Sequence, residues 1–351
     1  VITDHTTERE SMTDPHPASA AGRVDPGRSP AIVTVTANPS LDRTLELTAP
    51  LSHGAVQRAS NVRTEPGGKG VNVARVASAA GIGTRALLPA RAGDPLLAAL
   101  DSVALPYLTL AIDGEVRSNV TIVDPDGTTT KVNAPGFVLD DASAAELTEL
   151  VLANAGDARW VALCGSLPPG LPHNWYRTVV DALADTGCRV AVDTSGAPLA
   201  AAVTGPVDLL KPNEEELAEA TGVDPAELST ASARGDHAPL IAAATVLAHR
   251  TGAAILATLG AAGALLVTST GAWFATPPPI VPRSTVGAGD AALTGYLIAE
   301  CSGAEEPERL RMAVAYGSAA TALAGTQPPY PDQIDPDNVS VTDLTGAASA
   351  G

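Results

Sequence analysis

The chain has 351 residues, with 21 Lys+Arg against 39 Asp+Glu and a formal net charge of −18. That balance argues against a nucleic-acid binder or a polybasic membrane-surface protein, both of which need a basic patch. The length exceeds the roughly 250–300 residues at which single cores stop growing, so a large core plus a smaller subdomain is expected.

Residues 1–30 are polar and lack the apolar centre of a signal peptide, so they are expected to form a disordered extension. Ala31–Ala37 is a β-branched run suited to a buried strand. Val71–Ala80 has apolar residues at helical spacing and stops at Gly81. Thr84–Pro89 reads as the next strand. Asp140–Ala155 reads as a helix, Trp160–Cys164 as a strand and His173–Thr186 as a helix. Arg189–Asp193 and Val207–Lys211 are short apolar strands, followed by helices near Asn213–Thr221 and Asp236–Thr251. Ala253–Thr258 and Ala264–Thr268 flank a glycine-containing turn. Gly289–Glu300 and Pro307–Ala324 close the pattern as helices. This alternation predicts an α/β fold, a doubly wound, mainly parallel sheet flanked by helices.

Two stretches break the alternation, Arg43–Thr64 and Leu105–Asn133. The second holds an Asp124-Pro-Asp-Gly127 turn between two extended runs, the chemistry of a hairpin. Together they predict a small β-sheet lid from about 43–64 and 105–133, within a domain spanning 31–330. The Pro- and Ala-rich tail, 331–351, is expected to be loosely ordered. Hydrophobic residues make up 45% and aromatics only 3%, so the core must be aliphatic. The three cysteines, Cys164, Cys188 and Cys301, form no C-x-x-C pair, which fits a reducing, cytoplasmic setting. The uncharged run Thr251–Pro282 is too interrupted by Gly, Thr and Pro for a membrane span.

Three local motifs carry candidate chemistry. In Ser284-Thr-Val-Gly287-Ala288-Gly289-Asp290, glycines at a helix start allow backbone N–H groups to approach an anion. An Asp beside such an anion suits a general base for a hydroxyl; the competing reading is a glycine turn with Asp290 as a helix N-terminal residue. The same segment fits the variant dinucleotide pattern G-x-G-x-x-A through Ala292. It lacks the βαβ context that the pattern requires.

In Pro66-Gly67-Gly68-Lys69-Gly70-Val71-Asn72, glycines permit close approach, Lys69 adds charge and Asn72 can bond sugar hydroxyls. It is not a Walker A loop, and a tight turn before a helix is the alternative. In Lys211-Pro-Asn213-Glu-Glu-Glu216, Asn213 and Glu216 share one helix face. They could organise hydrated Mg²⁺ or simply complement the helix dipole. Weaker signals are Asp42 after the first strand, Gly165-Ser-Leu-Pro-Pro-Gly170, and Thr258-Leu-Gly260-Ala-Ala-Gly263. The histidines show no metal spacing, and no Ser-His-Asp or Cys-His arrangement is recognisable.

Seven segments in order, ANPSLD, PGGKGVNVARV, the R-S-N at Arg117, CGSLPPG, KPNEEEL, TLGAAGALL and STVGAGDA, resemble the ribokinase-like carbohydrate kinase (PfkB) family. The resemblance spans about Ala31 to Thr326 and is strongest to its 1-phosphofructokinase and tagatose-6-phosphate kinase branch. It implies ATP as phosphoryl donor, Mg²⁺, and a sugar phosphate as acceptor. It also implies Asp290 as base and Gly287, Ala288 and Gly289 as an anion hole. Asn213 and Glu216 would organise Mg²⁺, and Lys211, Thr258, Gly260 and Gly263 would border the nucleotide. Asp42, Gly67, Gly68, Lys69 and Asn72 would hold the sugar. Arg117, and Lys131 on the lid hairpin, would bind its phosphate. Family lids often pair into dimers.

The chain departs from the family pattern at Ser284, where Asp is common, and at Ala262, where an acidic residue is frequent. Lys131 also departs, standing where relatives of this branch often carry an acidic residue and 6-phosphofructokinase relatives carry Arg. Fructose 1-phosphate is the expected substrate, with fructose 6-phosphate and tagatose 6-phosphate as alternatives. A non-catalytic sensor would not need the base. All three lysines of the chain, Lys69, Lys131 and Lys211, fall in or beside these phosphate-handling motifs.

Overall fold

The computed structural model describes residues 21–23 and 29–348. Seven parallel strands form the centre of an eleven-stranded sheet. In spatial order they are Tyr107–Ala111, Thr84–Ala90, Ile32–Val35, Trp160–Cys164, Arg189–Asp193, Leu209–Leu210 and Ala254–Thr258. Antiparallel strands cover both edges. Ala21–Arg23 pairs with Tyr107–Ala111, while Ala264–Val267, Ala272–Thr276 and Ser340–Asp343 extend the other side.

The parallel strands are mostly apolar because helices cover both faces. Trp160–Cys164 shows the division. Val161 and Leu163 enter one buried cluster, Trp160, Ala162 and Cys164 the other. The core is aliphatic, as the composition implied, and the three cysteines are free. Among the described residues, no helix is long and apolar enough to cross a membrane.

The order of the strands reverses between Ile32–Val35 and Trp160–Cys164. From there one half winds towards Tyr107 and the other towards Ala254. Such a reversal opens a crevice at the carboxyl ends of the strands, where ligands bind in open α/β sheets. Helices Lys69–Ala79 and Ala288–Cys301 pack against each other across this region.

The second sheet has four strands, in the order Ala59–Gly67, Ser40–Leu47, Arg117–Val123 and Thr129–Val132. It falls where the lid was expected, with altered boundaries. Its first strand begins at Ser40, not Arg43, and the returning strand runs on to Gly67. The expected second lid stretch divides: Tyr107–Ala111 belongs to the large sheet, because its alternate residues bury against the core. The tail is not loose through Asp343, since Ser340–Asp343 pairs with Ala272–Thr276. Of the expected N-terminal extension, Ala21–Arg23 forms an edge strand. Residues 1–20 and 24–28 lie outside the described residues, as do 349–351 of the tail.

Four short helices were not anticipated: Pro95–Ser102, Gly196–Ala202, Pro225–Ala233 and Thr345–Ala348. Two of them carry a readable signature, an Asp N-cap followed by Pro at the first helical position. Asp94 accepts from Leu96 N–H and Asp224 from Ala226 N–H.

Candidate active site

The centre of the crevice is a buried carboxylate between two ammonium groups. Asp193 is the last residue of its strand and is fully buried. Lys69 Nζ donates to its Oδ1 at 2.8 Å, and Lys211 Nζ lies 3.2 Å from Oδ2. Lys211 is itself only 4% exposed. Burial favours protonation of Asp193, but Lys211 and Lys69 outweigh it and hold the carboxyl below its ordinary range. Burial likewise works against the charge of Lys69. Asp193, Asp290 and Glu216 overcome it and keep the ammonium ionised. Asp193 was missed in the sequence because it closes the apolar run RVAVD. An acid at the carboxyl end of a buried parallel strand was the available signal.

Asp290 lies in the first turn of helix Ala288–Cys301 and is buried. The Asn72 amide donates to its Oδ2 at 2.8 Å. Burial and the neighbouring Asp193 charge push its carboxyl up to about 6, against the pull of Lys69, Asn72 and Lys211. Gly287 precedes the helix in the left-handed region, φ 78°, a conformation disfavoured for residues with a Cβ. That turn leads into the helix N-terminus, where the Ala288 N–H makes a long bond to the Thr285 carbonyl, 3.4 Å, and first-turn N–H groups without an intrahelical partner can meet an anion. Lys211 reaches the same place: a Cβ on Gly289 would stand 3.3 Å from its Nζ.

Asn213 and Glu216 form a reciprocal capping box. Glu216 N–H donates to Asn213 Oδ1 and Asn213 N–H to Glu216 Oε2, each at 2.8 Å. The structural role weighed in the sequence is therefore real. It engages one Glu216 oxygen and leaves the other outside the box. One carboxylate at a helix start suits Mg²⁺, a hard cation that keeps most of its waters and needs few protein ligands. Among the described residues no group of three or more His, Cys, Asp or Glu could form a protein-only metal cage. Thr258 pairs with Asn213 through an isolated parallel bridge, which brings the Thr258–Gly263 segment beside the Lys211–Glu216 motif. Gly260 opens the following 3-10 turn and Gly263 ends it.

The small sheet carries a second set of polar residues. Its strand register puts Ser40, Asp42, Arg117, Asn119, Glu65, Gly67 and Lys131 on one face. Leu45, Val62, Val120, Ile122 and Val132 fall on the other. Asp42 Oδ1 accepts from Ser40 Oγ at 2.7 Å and from Asn119 Nδ2 at 3.1 Å. Burial nevertheless raises its carboxyl above the ordinary value. A Cβ on Gly67 would stand 2.2 Å from Asp42 Oδ2, so any side chain there must displace that carboxylate. Gly68 caps helix Lys69–Ala79. Arg117 donates to the Ala134 and Asn38 carbonyls at 3.0 and 3.2 Å, at the base of the lid. Lys131 shares the polar face but stands exposed on the edge strand, opposite Thr121. The Gly165 loop abuts Lys69, as expected of a crevice wall.

The structure thus gathers Lys69, Asn72, Lys211, Gly289 and Asp290 around Asp193, and sets Asp42, Gly67 and Arg117 on the lid. Such an arrangement can deprotonate a hydroxyl beside an anion site. Comparison with known proteins shows the family. Residues 36–333 match the pfkB family carbohydrate kinase description. The 1-phosphofructokinase of Haloferax volcanii is 36% identical over 301 residues, covering 85% of this chain and 93% of that protein. The ATP-dependent 6-phosphofructokinase isozyme 2 of Escherichia coli is 31% identical over 300 residues, covering 84% and 94%. A crystal structure of phosphofructokinase-2 from Escherichia coli with substrates and products superposes with a TM-score of 0.77. It is 30% identical and covers 86% of this chain and 96% of that one. The chain belongs to the pfkB family of carbohydrate kinases.

Proposed function

We propose that this kinase transfers the γ-phosphoryl group of ATP to the free primary hydroxyl of fructose 1-phosphate, giving fructose 1,6-bisphosphate. The observation that carries the reading is Asp290. It is a buried carboxylate at a glycine-opened helix start, with its pKa raised to about 6 beside two ammonium groups. A carboxylate near that value is ionised at neutral pH yet basic enough to accept the acceptor hydroxyl's proton.

Phosphoryl transfer needs positioning and charge stabilisation more than covalent help. Backbone N–H groups at Gly287, Ala288 and Gly289 and the helix dipole meet the charge on the transferring group. Lys211, and Lys69 across Asp193, add fixed positive charge at the same point. Asn72 orients Asp290, and Asp42 with Asn119 holds sugar hydroxyls from the lid. Arg117 and Lys131 supply the cations for the phosphate already on the sugar. Asn213 and Glu216 would hold Mg²⁺, whose charge neutralises the ATP phosphates. Thr258, Gly260 and Gly263 border the nucleotide.

The relatives named above divide between 1-phosphofructokinase and 6-phosphofructokinase, so fructose 6-phosphate is the second reading, with tagatose 6-phosphate beside it. Lys131 favours neither. A coupled ADP-release assay over the three sugar phosphates is expected to give the highest kcat/KM with fructose 1-phosphate. Preference for either 6-phosphate would replace the reading, and turnover of none would end it.

We also read the apolar lid face as the surface on which a second copy of the chain docks. Val62 and Val132 on that face are 48% and 59% exposed. Light scattering of the wild type and of Val62→Asp would show a dimer lost on substitution; a wild-type monomer would refute it.

A further inference from the structure

Arg75 lies one turn after Asn72 on the helix that begins in the GGKG motif, and its side chain is 6% exposed. Its guanidinium holds three acceptors from two other parts of the chain. Nη1 donates to the Pro66 carbonyl at 3.2 Å and to Thr326 Oγ1 at 3.1 Å, and Nη2 donates to Glu65 Oε1 at 3.1 Å. Each acceptor has a second attachment. Glu65 stands opposite Asp42 in the lid sheet, and its charge contributes to raising the Asp42 carboxyl. Pro66 precedes the glycine that makes room for that carboxylate. Thr326 packs behind the anion hole: a Cβ on Gly287 would lie 3.9 Å from its backbone and side chain. The loop is also close to the lid from the other side, since a Cβ on Gly325 would be 2.9 Å from Glu65 Oε2.

A buried guanidinium with partners on both the lid strand and the loop behind Gly287 fixes their relative position. The planar fork is pre-organised for this, since its donors are spread over two nitrogens in a fixed plane, whereas an ammonium offers its three donors from a single point. Asn72 and Arg75 occupy one helical face. The same face therefore holds the base, through Asn72, and the loop against the anion hole, through Arg75. We propose that Arg75 is a positioning residue that couples the seating of the lid strand at Glu65–Gly67 to the geometry of the Gly287–Gly289 anion hole. This rests on the anion-hole assignment made above.

The test uses Thr326→Val, which removes one bond at a partly exposed position, with Arg75→Lys as the variant that keeps the charge. Amide hydrogen exchange on the full chain without substrate reads the coupling independently of any activity. In Thr326→Val, protection is expected to fall together in Ala59–Gly67 and in 284–290. With the best sugar phosphate, kcat is expected to fall about three- to tenfold, a part of what one hydrogen bond from a charged guanidinium is worth. KM for ATP should change less than about twofold, since uniform binding is untouched. Arg75→Lys is expected to behave like Thr326→Val or worse. Exchange that rises only around residue 326, an unchanged kcat, or full rescue by Lys would each overturn the proposal. An inactive wild type with coupled exchange would instead fault the substrate reading, leaving the coupling standing.

Discussion

The Asn72 amide donates to Asp290 Oδ2 at 2.8 Å across 218 residues of sequence. Two helices that start at glycine-rich turns are thereby locked at their N-termini. Asp290→Asn keeps the shape and an acceptor for Asn72 but removes the base. A positioned base contributes roughly 10²–10⁴-fold, so kcat is expected to fall by about that range while ATP binding persists. Single-turnover assays with calorimetric ATP titration check both halves. Retained turnover would remove Asp290 from the mechanism.

The same carboxyl sets a pH dependence. Its pKa is raised to about 6, so the proposed base would be protonated and idle in acid. The kcat/KM profile is expected to show an acid limb near that value. Asp193 contributes negative charge that pushes Asp290 up, whereas the Asn72 bond pulls it down. Asp193→Asn should therefore shift the limb to lower pH and Asn72→Ala to higher pH. Shifts of the reverse sign would show that the limb belongs to another group.

Burying Asp290 also costs stability. A carboxyl whose folded pKa lies above its unfolded value destabilises the fold where it is ionised, and the cost disappears as pH falls below both values. Asp290→Asn is thus expected to raise Tm above wild type at pH 8 and to lose most of that advantage by pH 4. Thermal melts at the two pH values read it directly.

The parallel strands were legible because burial on both faces leaves uninterrupted β-branched runs, and Trp160–Cys164 and Arg189–Asp193 fall where their residues placed them. The motif glycines were legible because few residues tolerate the positive φ of Gly287. Long-range partnerships were not. Nothing in RVAVD says that Asp193 will meet Lys69 and Lys211, and nothing near Arg75 points to Thr326, 251 residues away. These depend on strand order and helix packing. The lid boundary slipped because Asp42 and Gly67 look like loop residues, yet they pair within two strands.

Gly67→Ala tests the lid side of the site. The new methyl must displace the Asp42 carboxylate, which Ser40 and Asn119 otherwise hold. KM for the sugar phosphate is expected to rise about tenfold or more, equivalent to losing a charge-assisted hydrogen bond. KM for ATP should stay within about twofold. Initial-rate kinetics with each substrate varied in turn distinguishes this from general damage.

Glu300 offers a prediction confined to stability. It is 1% exposed at the opposite end of the sheet from Asp193, near the first residues of the strands. Arg159 Nε and Trp160 Nε1 donate to its Oε2 at 2.9 and 2.7 Å, and Arg189 Nη1 to its Oε1 at 2.6 Å. Burial alone would raise its carboxyl, but the bonds from Arg159 and Trp160 and the Arg189 charge hold it below the ordinary value. A depressed folded pKa stabilises the fold above the unfolded value, and that contribution is lost as pH falls through the folded one. Glu300→Gln is expected to cost about 1–3 kcal/mol at pH 7, because both arginines are half-exposed and can turn to water. The difference from wild type should shrink below about pH 4, where the wild-type carboxyl also loses its charge. Urea melts at pH 7 and pH 3.5 measure both, and kcat at pH 7 should be unchanged. A constant gap at the two pH values would mean that packing, rather than the ionised carboxylate, accounts for the loss.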